Sequence, residues 1–350
     1  MGQANCATCN CIRKEADLRM EVDFRDENFT ATSPGVVLKS THKTPMGSGL
    51  QSPRWLMAKQ HLIQIIHIQA VWRGHQVRKQ IAHLLKRSPQ SEYFEGSEEA
   101  TARSGDKENS VEERPGYTFK SGAVYKGQWK GTLRHGYGVQ TWPDGAKYEG
   151  SWRGNKACGH GKFWHVDGDV YEGQWGDDKA NGKGKYIHVN GAKYEGDWRE
   201  DMQEGFGVET WADGSHYEGF YRAGKKHGFG SYSWHDGSAY TGQWLDNKIN
   251  GKGCYTWLDG RRYFGEWLNN NMHGKGVYTW LDGRKYDGAY QFDKKHGPGE
   301  YIWADGRRYR GQWKAGKQHG EGEYIHQNGK TQRGVWQDGK RVKWLEGNDD

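Results

Sequence analysis

The chain has 350 residues, of which only 33% are hydrophobic, yet it contains 53 Gly, 18 Trp and 20 Tyr. This composition excludes a thick aliphatic core, and the abundance of aromatic residues excludes a typical disordered chain. The net charge of +7 is uneven, since residues 28–91 have nine Lys or Arg and no acid, whereas residues 92–116 have eight acids and three bases. This distribution does not indicate a uniformly basic surface for nucleic acid.

Residues 1–54 are predicted to form a flexible tail whose first residues are candidates for lipid attachment. Gly2 follows the initiator Met, as N-myristoylation requires, but Cys6 replaces the usual Ser or Thr. Cys6, Cys9 and Cys11 are candidate palmitoylation sites, which matters because a single myristoyl chain anchors a protein only marginally. The alternative is an unmodified tail. A zinc site is disfavoured, since the three thiols have no nearby His or fourth Cys.

The cysteine content and the hydropathy of the chain favour an intracellular protein. Five unevenly spaced cysteines do not make a disulfide framework. No apolar run approaches the ~18 residues of a membrane span, and the N-terminus lacks the apolar core of a signal peptide.

Residues 55–87 contain no Pro and are predicted to form one basic α-helix. The helix carries the pattern Ile-Gln-x3-Arg-Gly-x3-Arg-x2-Ile, which resembles the IQ motif at every position. The resemblance implies that calmodulin or a related EF-hand protein binds the helix, with its apolar side chains in a groove of the partner. The alternative is a basic amphipathic helix that lies on anionic lipid or packs on the following domain. The candidate calmodulin-binding residues are Ile68, Gln69, Trp72, Arg73, Gly74, Arg78, Lys79 and Ile81.

Residues 88–116 are polar, acidic and rich in Ser and Glu, and they are predicted to be a disordered linker. The repetitive part of the chain is expected to begin after this linker.

From residue 117 onward the sequence repeats every 23 residues without insertion. Each copy carries Tyr-x-Gly-x-Trp, then a Gly-x-Gly pair, then an Asp-Gly or Asn-Gly dipeptide, and a tenth copy has Gln332 in place of the Tyr. The dipeptides lie between alternating aromatic runs and predict hairpin turns of type I′, in which both central residues have positive φ. Because one hairpin is marginal in water, the copies are expected to stack into a single sheet.

One face of the predicted sheet is aromatic and glycine-rich. Tyr125, Gly127 and Trp129 alternate along one strand and therefore share a face, while charged residues occupy the other face. Glycine leaves room for a ring to lie on the backbone in place of a second protein layer. We predict an aromatic groove on this face, formed by Tyr125, Trp129, Tyr148, Trp152, Tyr171, Trp175, Tyr194, Trp198, Tyr240, Trp244, Tyr263, Trp267, Tyr309 and Trp313.

Segments such as YEGSWRGNKACGHGKFWHVDG and YTGQWLDNKINGKGCYTWLDG resemble the MORN repeat almost residue for residue, over residues 117–346, leaving a tail at 347–350. The resemblance implies a mostly β fold, an elongated single-layer array of about ten antiparallel β-hairpin repeats. Members of this family include junction and cytoskeletal scaffolds, radial-spoke heads of cilia and leading segments of some phosphoinositide kinases. Departures from the repeat pattern are Tyr221, Tyr290, His165, His188 and His326, each of which replaces a Trp.

The motifs predict a non-catalytic scaffold or adaptor. No P-loop, nucleophile elbow or kinase signature occurs, so we expect no enzyme activity, no cofactor and no metal site. The expected partners are an EF-hand protein for the helix and a cytoskeletal, ciliary or cortical protein for the array, with homodimerisation through sheet edges and no nucleic acid. Alternatives are a peripheral membrane protein that binds anionic phospholipid through acylation and the basic helix, or a regulatory partner of a phosphoinositide kinase. The expected location is the cytoplasm, cytoskeleton or cilium, or the inner face of the plasma membrane.

Overall fold

The computed structural model describes residues 90–94, 100 and 110–345. In this part of the chain, 21 strands form one sheet, and a 3-10 helix, Gln90–Tyr93, precedes them. Each strand pairs antiparallel with the next, so the strand order follows the chain order. The predicted β-hairpin repeat array is confirmed. The predicted α-helix at 55–87 and the tails at 1–54 and 347–350 lie outside the described residues.

Between the first strand and the last two, seven-residue strands alternate with nine-residue strands. The seven-residue strands carry Tyr-x-Gly-x-Trp, with Tyr221 and Tyr290 in place of the Trp in two of them, and the nine-residue strands carry Gly-x-Gly. The strands are β1 Val111–Thr118, β2 Val124–Lys130, β3 Leu133–Thr141, β4 Lys147–Arg153, β5 Lys156–Trp164, β6 Val170–Gly176, β7 Lys179–Ile187, β8 Lys193–Arg199, β9 Met202–Thr210, β10 His216–Arg222, β11 Lys225–Ser233, β12 Ala239–Leu245, β13 Lys248–Thr256, β14 Arg262–Leu268, β15 Asn271–Thr279, β16 Lys285–Gln291, β17 Lys294–Ile302, β18 Arg308–Lys314, β19 Lys317–Ile325, β20 Thr331–Gln337 and β21 Lys340–Trp344.

Each repeat contains two kinds of turn, and their conformations differ from those that the sequence predicted. At the Asp-Gly turns only the glycine is left-handed: Gly145 has φ 99° and donates its N–H to the Trp142 carbonyl at 3.0 Å. This is a type I turn followed by a left-handed glycine, so the prediction of type I′ is wrong there. The two-residue turns that follow the seven-residue strands have the type I′ signature instead, with φ 56° at Gly154 and 72° at Asn155. Asp-Gly suits both turn classes, and loop length decides between them.

Each nine-residue strand contains a β-bulge at the first glycine of its Gly-x-Gly pair. Gly127 pairs with Gly138, but Trp129 pairs with Arg134, so the ladder shifts around Gly136. Gly136 has φ 69°, a backbone conformation that favours glycine. The bulge keeps the alternation of faces intact while it increases the local twist.

Both ends of the described sheet differ from the interior repeats. β1 begins at Val111 and pairs with β2, so the prediction of a disordered linker through residue 116 is wrong for this segment. Propensity did not show the strand because Pro115 and Gly116 interrupt it, where the pairing also shifts. At the other end β21 pairs with β20 alone, and the Trp344 ring lies edge-on to Trp336 with centroids 6.0 Å apart.

Candidate functional site: the aromatic face of the sheet

The core of each of the first nine repeats is a tyrosine ring that lies on two glycines. Tyr240 is 0% exposed, and its Oη donates to the carbonyl of Gln243 at 3.0 Å. A Cβ added at Gly253 would stand 2.3 Å from Tyr240 Oη, and one at Gly242 would stand 2.5 Å from Gly253 Cα. Only glycine at both positions permits this contact, since real Cβ atoms do not approach so closely.

The tryptophan of each repeat joins that repeat to its neighbour. Trp244 donates Nε1–H to the Gly230 carbonyl in the preceding strand pair at 3.1 Å. Its ring stands edge-on to Tyr240 at 5.4 Å and to Tyr217 of the preceding repeat at 5.5 Å. Edge-to-face pairs at this spacing are favourable beyond the area that they bury. The tyrosines and tryptophans of Tyr-x-Gly-x-Trp therefore form a continuous inner row.

The fourteen residues predicted to form an aromatic groove all belong to the inner row, and none is more than 8% exposed. They hold the sheet together, and direct contact with a partner through these rings remains a prediction. Tyr221 and Tyr290, which replace Trp, are buried in the same row, at 4% and 5%.

A second row of rings, all partly exposed except the buried Tyr278, runs beside the inner row. Tyr and Trp residues from the ends of the nine-residue strands and from the Asp-Gly turns stack with centroids 4.4 to 5.8 Å apart. We call this row the ring ladder. Its members are Trp211, Tyr232, Trp234, Tyr255, Trp257, Tyr278, Trp280, Tyr301, Trp303 and Tyr324.

Between the inner row and the ring ladder, one side chain per repeat meets a set of rings that we call a cage. The side chain belongs to the second residue of the nine-residue strand, the cage position. In β3 this is Arg134, whose Cζ lies 4.5 Å from the Trp152 ring and 5.4 Å from the Phe119 ring. Arg134 is 1% exposed, and burial lowers the pKa of its guanidinium to about 10, although Asp178 and Tyr125 oppose the shift.

The cage of β5 is filled from outside the sheet. Ala157 is at its cage position, and Phe94, which follows the 3-10 helix, is only 4% exposed. Tyr93 beside it donates its hydroxyl to Asp144 at 2.9 Å. The Phe94 ring lies 5.3 Å from Trp142, 5.5 Å from Tyr148, 5.8 Å from Trp152, 6.1 Å from Phe163 and 5.8 Å from Trp175. The linker thus supplies a core side chain that the strand lacks.

The sequence interpretation placed Tyr93 and Phe94 in the disordered linker, so it missed this contact. Two signals pointed to it. A Tyr-Phe pair interrupts an otherwise polar and acidic segment, and Ala157 and Ala180 are small where other repeats have larger residues. Ala100, also in that segment, is buried as well.

A lysine occupies the cage position of β11. Lys226 Nζ lies 4.7 Å from the Trp211 ring and 4.8 Å from the Tyr217 ring. The Glu209 carboxylate accepts from Lys226 Nζ at 2.8 Å and from the Tyr221 hydroxyl at 2.9 Å. A half-buried cation is thereby neutralised inside the cage.

One of the His substitutions takes part in a polar cluster at the edge of the aromatic face. His188 Nδ1 lies 3.0 Å from Asp169 Oδ2, which also accepts from the Tyr186 hydroxyl at 3.0 Å. Burial raises the pKa of Asp169, but the Val189 N–H, the His188 ring and Tyr186 outweigh it, so the pKa is lowered overall. The His165 ring lies 4.6 Å from the Phe163 ring, and the His326 ring lies 4.9 Å from Tyr324 of the ring ladder.

The remaining predicted site residues cannot be placed on this surface. The IQ residues from Ile68 to Ile81 and the lipidation candidates Gly2, Cys6, Cys9 and Cys11 lie outside the described residues. Within residues 90–94, 100 and 110–345, no three His, Cys, Asp or Glu side chains are grouped so as to hold a metal ion. No helix in that part of the chain is long and apolar enough to cross a membrane.

Three solved structures show remote similarity to this chain. The TCP10 domain of Danio rerio CPAP matches with a TM-score of 0.34 and 14% identity, over 60% of this chain and 99% of that one. The TCP domain of Drosophila melanogaster SAS-4, in complex with a proline-rich motif of Ana2, matches with a TM-score of 0.28 and 14% identity, over 43% and 82%. A Staphylococcus aureus virginiamycin B lyase matches with a TM-score of 0.13 and 15% identity, over 67% and 72%. No curated protein is similar enough in sequence to count as a relative.

Comparison with protein families gives a clear result. The MORN repeat model matches nine times, at residues 125–147, 148–170, 171–193, 194–216, 217–239, 240–260, 263–283, 286–307 and 309–331. The matches cover more than half of the chain, and each begins at the tyrosine that lies on the glycine pair, or at its equivalent. The chain therefore belongs to the MORN repeat family.

Proposed function

We propose that this protein is a non-catalytic adaptor whose aromatic face docks peptide segments and whose basic helix recruits calmodulin or a related EF-hand protein. MORN repeats are typically scaffold or adaptor modules, which supports the general class. The cytoskeletal, ciliary or cortical partner and location are part of the proposal.

The observation that supports the docking role is the position of the Phe94 side chain in the cage of β5. Its ring enters a cage from a segment that is not part of the sheet, which shows that the aromatic face accepts a side chain from outside the strands. An aromatic anchor in a well-packed pocket is the usual energetic centre of a docking site. Partly exposed rings continue along the sheet as far as Tyr324, so the face offers further surface of the same kind.

The calmodulin role rests on the helix sequence. The spacing of Ile68, Gln69, Arg73 and Arg78 supplies apolar anchors and basic groups on one segment, which suits an acidic EF-hand groove. The two features are close in sequence, since six residues separate residue 87, the predicted end of the helix, from Phe94.

The docking role can be tested in the full chain with a Phe94→Ala variant. We expect the variant to bind the peptide Ac-QSEYFE-NH2, which repeats residues 90–95, with a change in Trp fluorescence, whereas the wild type does not because its cage is filled. A Phe94→Ala/Ala157→Met double variant is the matched control, since Met occupies the cage position of β15 as Met272. Equal peptide binding by all three proteins would contradict the docking role.

The calmodulin role is tested separately, by calorimetric titration of the full chain with calmodulin in the presence and absence of calcium. We expect an Ile68→Ala/Gln69→Ala/Arg73→Ala variant to lose most of the affinity. Proximity labelling in cells with the same pair of proteins reports the location and the array's partner. Equal labelling of calmodulin-like proteins by both chains would remove this part of the proposal.

A second candidate function, membrane attachment, is favoured by Gly2 and the cluster of Cys6, Cys9 and Cys11. Co-sedimentation with anionic liposomes, using chain purified from eukaryotic cells, is expected to fall when Gly2 and Cys6 are both changed to Ala. Retention in a cytoskeletal pellet without lipid would favour the adaptor function alone.

A further inference from the structure

Two lysines occupy equivalent cages three repeats apart. Lys226 Nζ lies near the rings of Trp211, Tyr217 and Tyr232, and Lys295 Nζ lies near the rings 69 residues further along the chain. The Lys295 distances are 5.4 Å to Trp280, 4.7 Å to Tyr286, 4.1 Å to Tyr301 and 4.8 Å to Trp313. The same repeat position therefore places a lysine ammonium among aromatic rings twice.

The two cages differ in their negative charge. Glu209 pairs with Lys226 and also accepts from Tyr221. Three repeats later, Tyr278 occupies the position equivalent to Glu209. The two donors to that carboxylate, Lys226 and Tyr221, have the equivalents Lys295 and Tyr290. In residues 90–94, 100 and 110–345, no carboxylate forms an ion pair with Lys295. The second cage thus has the cation without its counter-ion.

An ammonium among rings and without a counter-ion is energetically unfavourable. Ring faces compensate only part of the lost hydration, since a cation–π contact contributes about 0.5–2 kcal/mol, whereas removing one partner of a buried ion pair costs about 3–5 kcal/mol. Burial, together with repulsion from Arg284, lowers the pKa of Lys295 to about 7. Lys295 is only partly buried, so an anion can approach it from solvent.

The surface around Lys295 is cationic as well as aromatic. Arg284 lies 5.2 Å from the Trp280 ring and Arg307 lies 5.7 Å from the Trp303 ring. Each of these Arg side chains is already paired with an Asp two residues before it, with nitrogen–oxygen distances of 2.7 Å. They add positive charge near Lys295, but they are not free to grip a phosphate from two sides, which is the geometry that favours phosphate binding by Arg.

We propose that the Lys295 cage docks an acidic segment of a partner protein, whose carboxylate pairs with the Lys295 ammonium in the way that Glu209 pairs with Lys226. This inference rests on the proposed docking function of the aromatic face and specifies the chemistry of its partner. The rings of Trp280 and Tyr301, 5.4 Å and 4.1 Å from Lys295 Nζ, are partly exposed, so that they can contact the apolar atoms beside the carboxylate. Charge complementarity then fixes the register of the segment on the ring ladder.

The test compares binding of the acidic peptide Ac-EEEEEE-NH2 with that of Ac-QQQQQQ-NH2, by calorimetry on the full chain at constant ionic strength. Lys295→Met removes the ammonium and keeps a side chain that the repeat accepts at Met272. Tyr278→Glu supplies a carboxylate within the chain, copying Glu209. Lys226→Met is the control, because Lys226 already has its acid.

We expect the wild type to bind the acidic peptide at least ten-fold more tightly than Lys295→Met or Tyr278→Glu, and Lys226→Met to bind like the wild type. Equal affinity of the wild type and Lys295→Met would overturn the proposal, as would binding of the neutral peptide with the same affinity. A preference for liposomes of phosphatidylserine that Lys295→Met abolishes, without peptide binding, would assign the cage to lipid instead. None of these outcomes depends on the Phe94 cage or on calmodulin, so the adaptor function is judged separately.

Discussion

The packing of tyrosine on glycine makes a sharp prediction for Gly253→Ala. The backbone at Gly253 has no left-handed φ, so an alanine there is not strained by its own conformation. Its methyl group would stand 2.3 Å from Tyr240 Oη and 2.5 Å from Cε2 and Cζ of the same ring. The ring must therefore leave its position.

The cost follows from what Tyr240 loses. The ring is 0% exposed, and burying a side chain of this size contributes about 1.5–3 kcal/mol. Displacement also breaks the 3.0 Å hydrogen bond to the Gln243 carbonyl, which contributes about 1 kcal/mol. We expect Gly253→Ala to destabilise its repeat by about 3 kcal/mol.

Gly176→Ala is the matched control. Gly176 also lies in a strand without a left-handed φ, but the nearest atom to an added Cβ, on Asn181, is 3.5 Å away, an ordinary contact. We expect a change within about 0.5 kcal/mol, or slight stabilisation, because alanine lowers the entropy of the unfolded chain.

The measurement is urea denaturation combined with amide hydrogen exchange of the affected repeat, because a repeat array responds locally as well as globally. A Tyr240→Ala/Gly253→Ala double variant completes a thermodynamic cycle, and the methyl group should cost little once the ring is gone. The reasoning is refuted if Gly253→Ala is as stable as Gly176→Ala, or if the methyl costs the same with and without Tyr240.

Three further predictions concern charge and turn conformation. The folded pKa of Lys295, about 7, is below its unfolded value, so the unfolded chain binds more protons above pH 7 and the free energy of unfolding rises with pH. Between pH 8 and pH 10, urea denaturation should show that the wild type gains about 2 kcal/mol more than Lys295→Met, and the absence of this excess would contradict the prediction. Glu209→Gln should lower the free energy of unfolding by about 3 kcal/mol, because the Lys226 and Glu209 side chains are only 13% and 15% exposed. Glu172→Gln, in a pair that is 38% and 52% exposed, should change it by under about 0.5 kcal/mol, and similar costs for the two variants would contradict the prediction. Phe292 has φ 46°, so Phe292→Asn should raise the urea midpoint by an amount equivalent to about 0.5–1 kcal/mol. The Phe292 ring lies 5.1 Å from the His273 ring, and a lower midpoint would show that this contact outweighs the strain.

The repeat fold was predictable because its contacts are local in sequence. Tyr240, Gly242 and Trp244 share a face of one strand, and their partners in the sheet are the adjoining strands of the chain. A period of 23 residues therefore specifies both the pairing and the buried face. The class of the turns was not predictable from dipeptides, since the same Asp-Gly pair fits loops of two lengths.

The occupants of the cages depended on contacts between distant positions. Phe94 meets rings as far along the chain as Trp175, and no pattern in the linker specifies which cage it enters. Within the described part of the chain, Glu209 forms an ion pair with Lys226, whereas no carboxylate pairs with Lys295 at the same position three repeats later.

By itself, the sequence determined a sheet of stacked hairpins with tyrosines on glycines, because alternation and period act through neighbouring strands. Only the tertiary structure decided that the linker supplies Phe94 to one cage and that, among the residues the structure describes, no carboxylate pairs with Lys295 in another. These features follow from which side chains meet across repeats, where a single substitution changes the contact without changing the pattern.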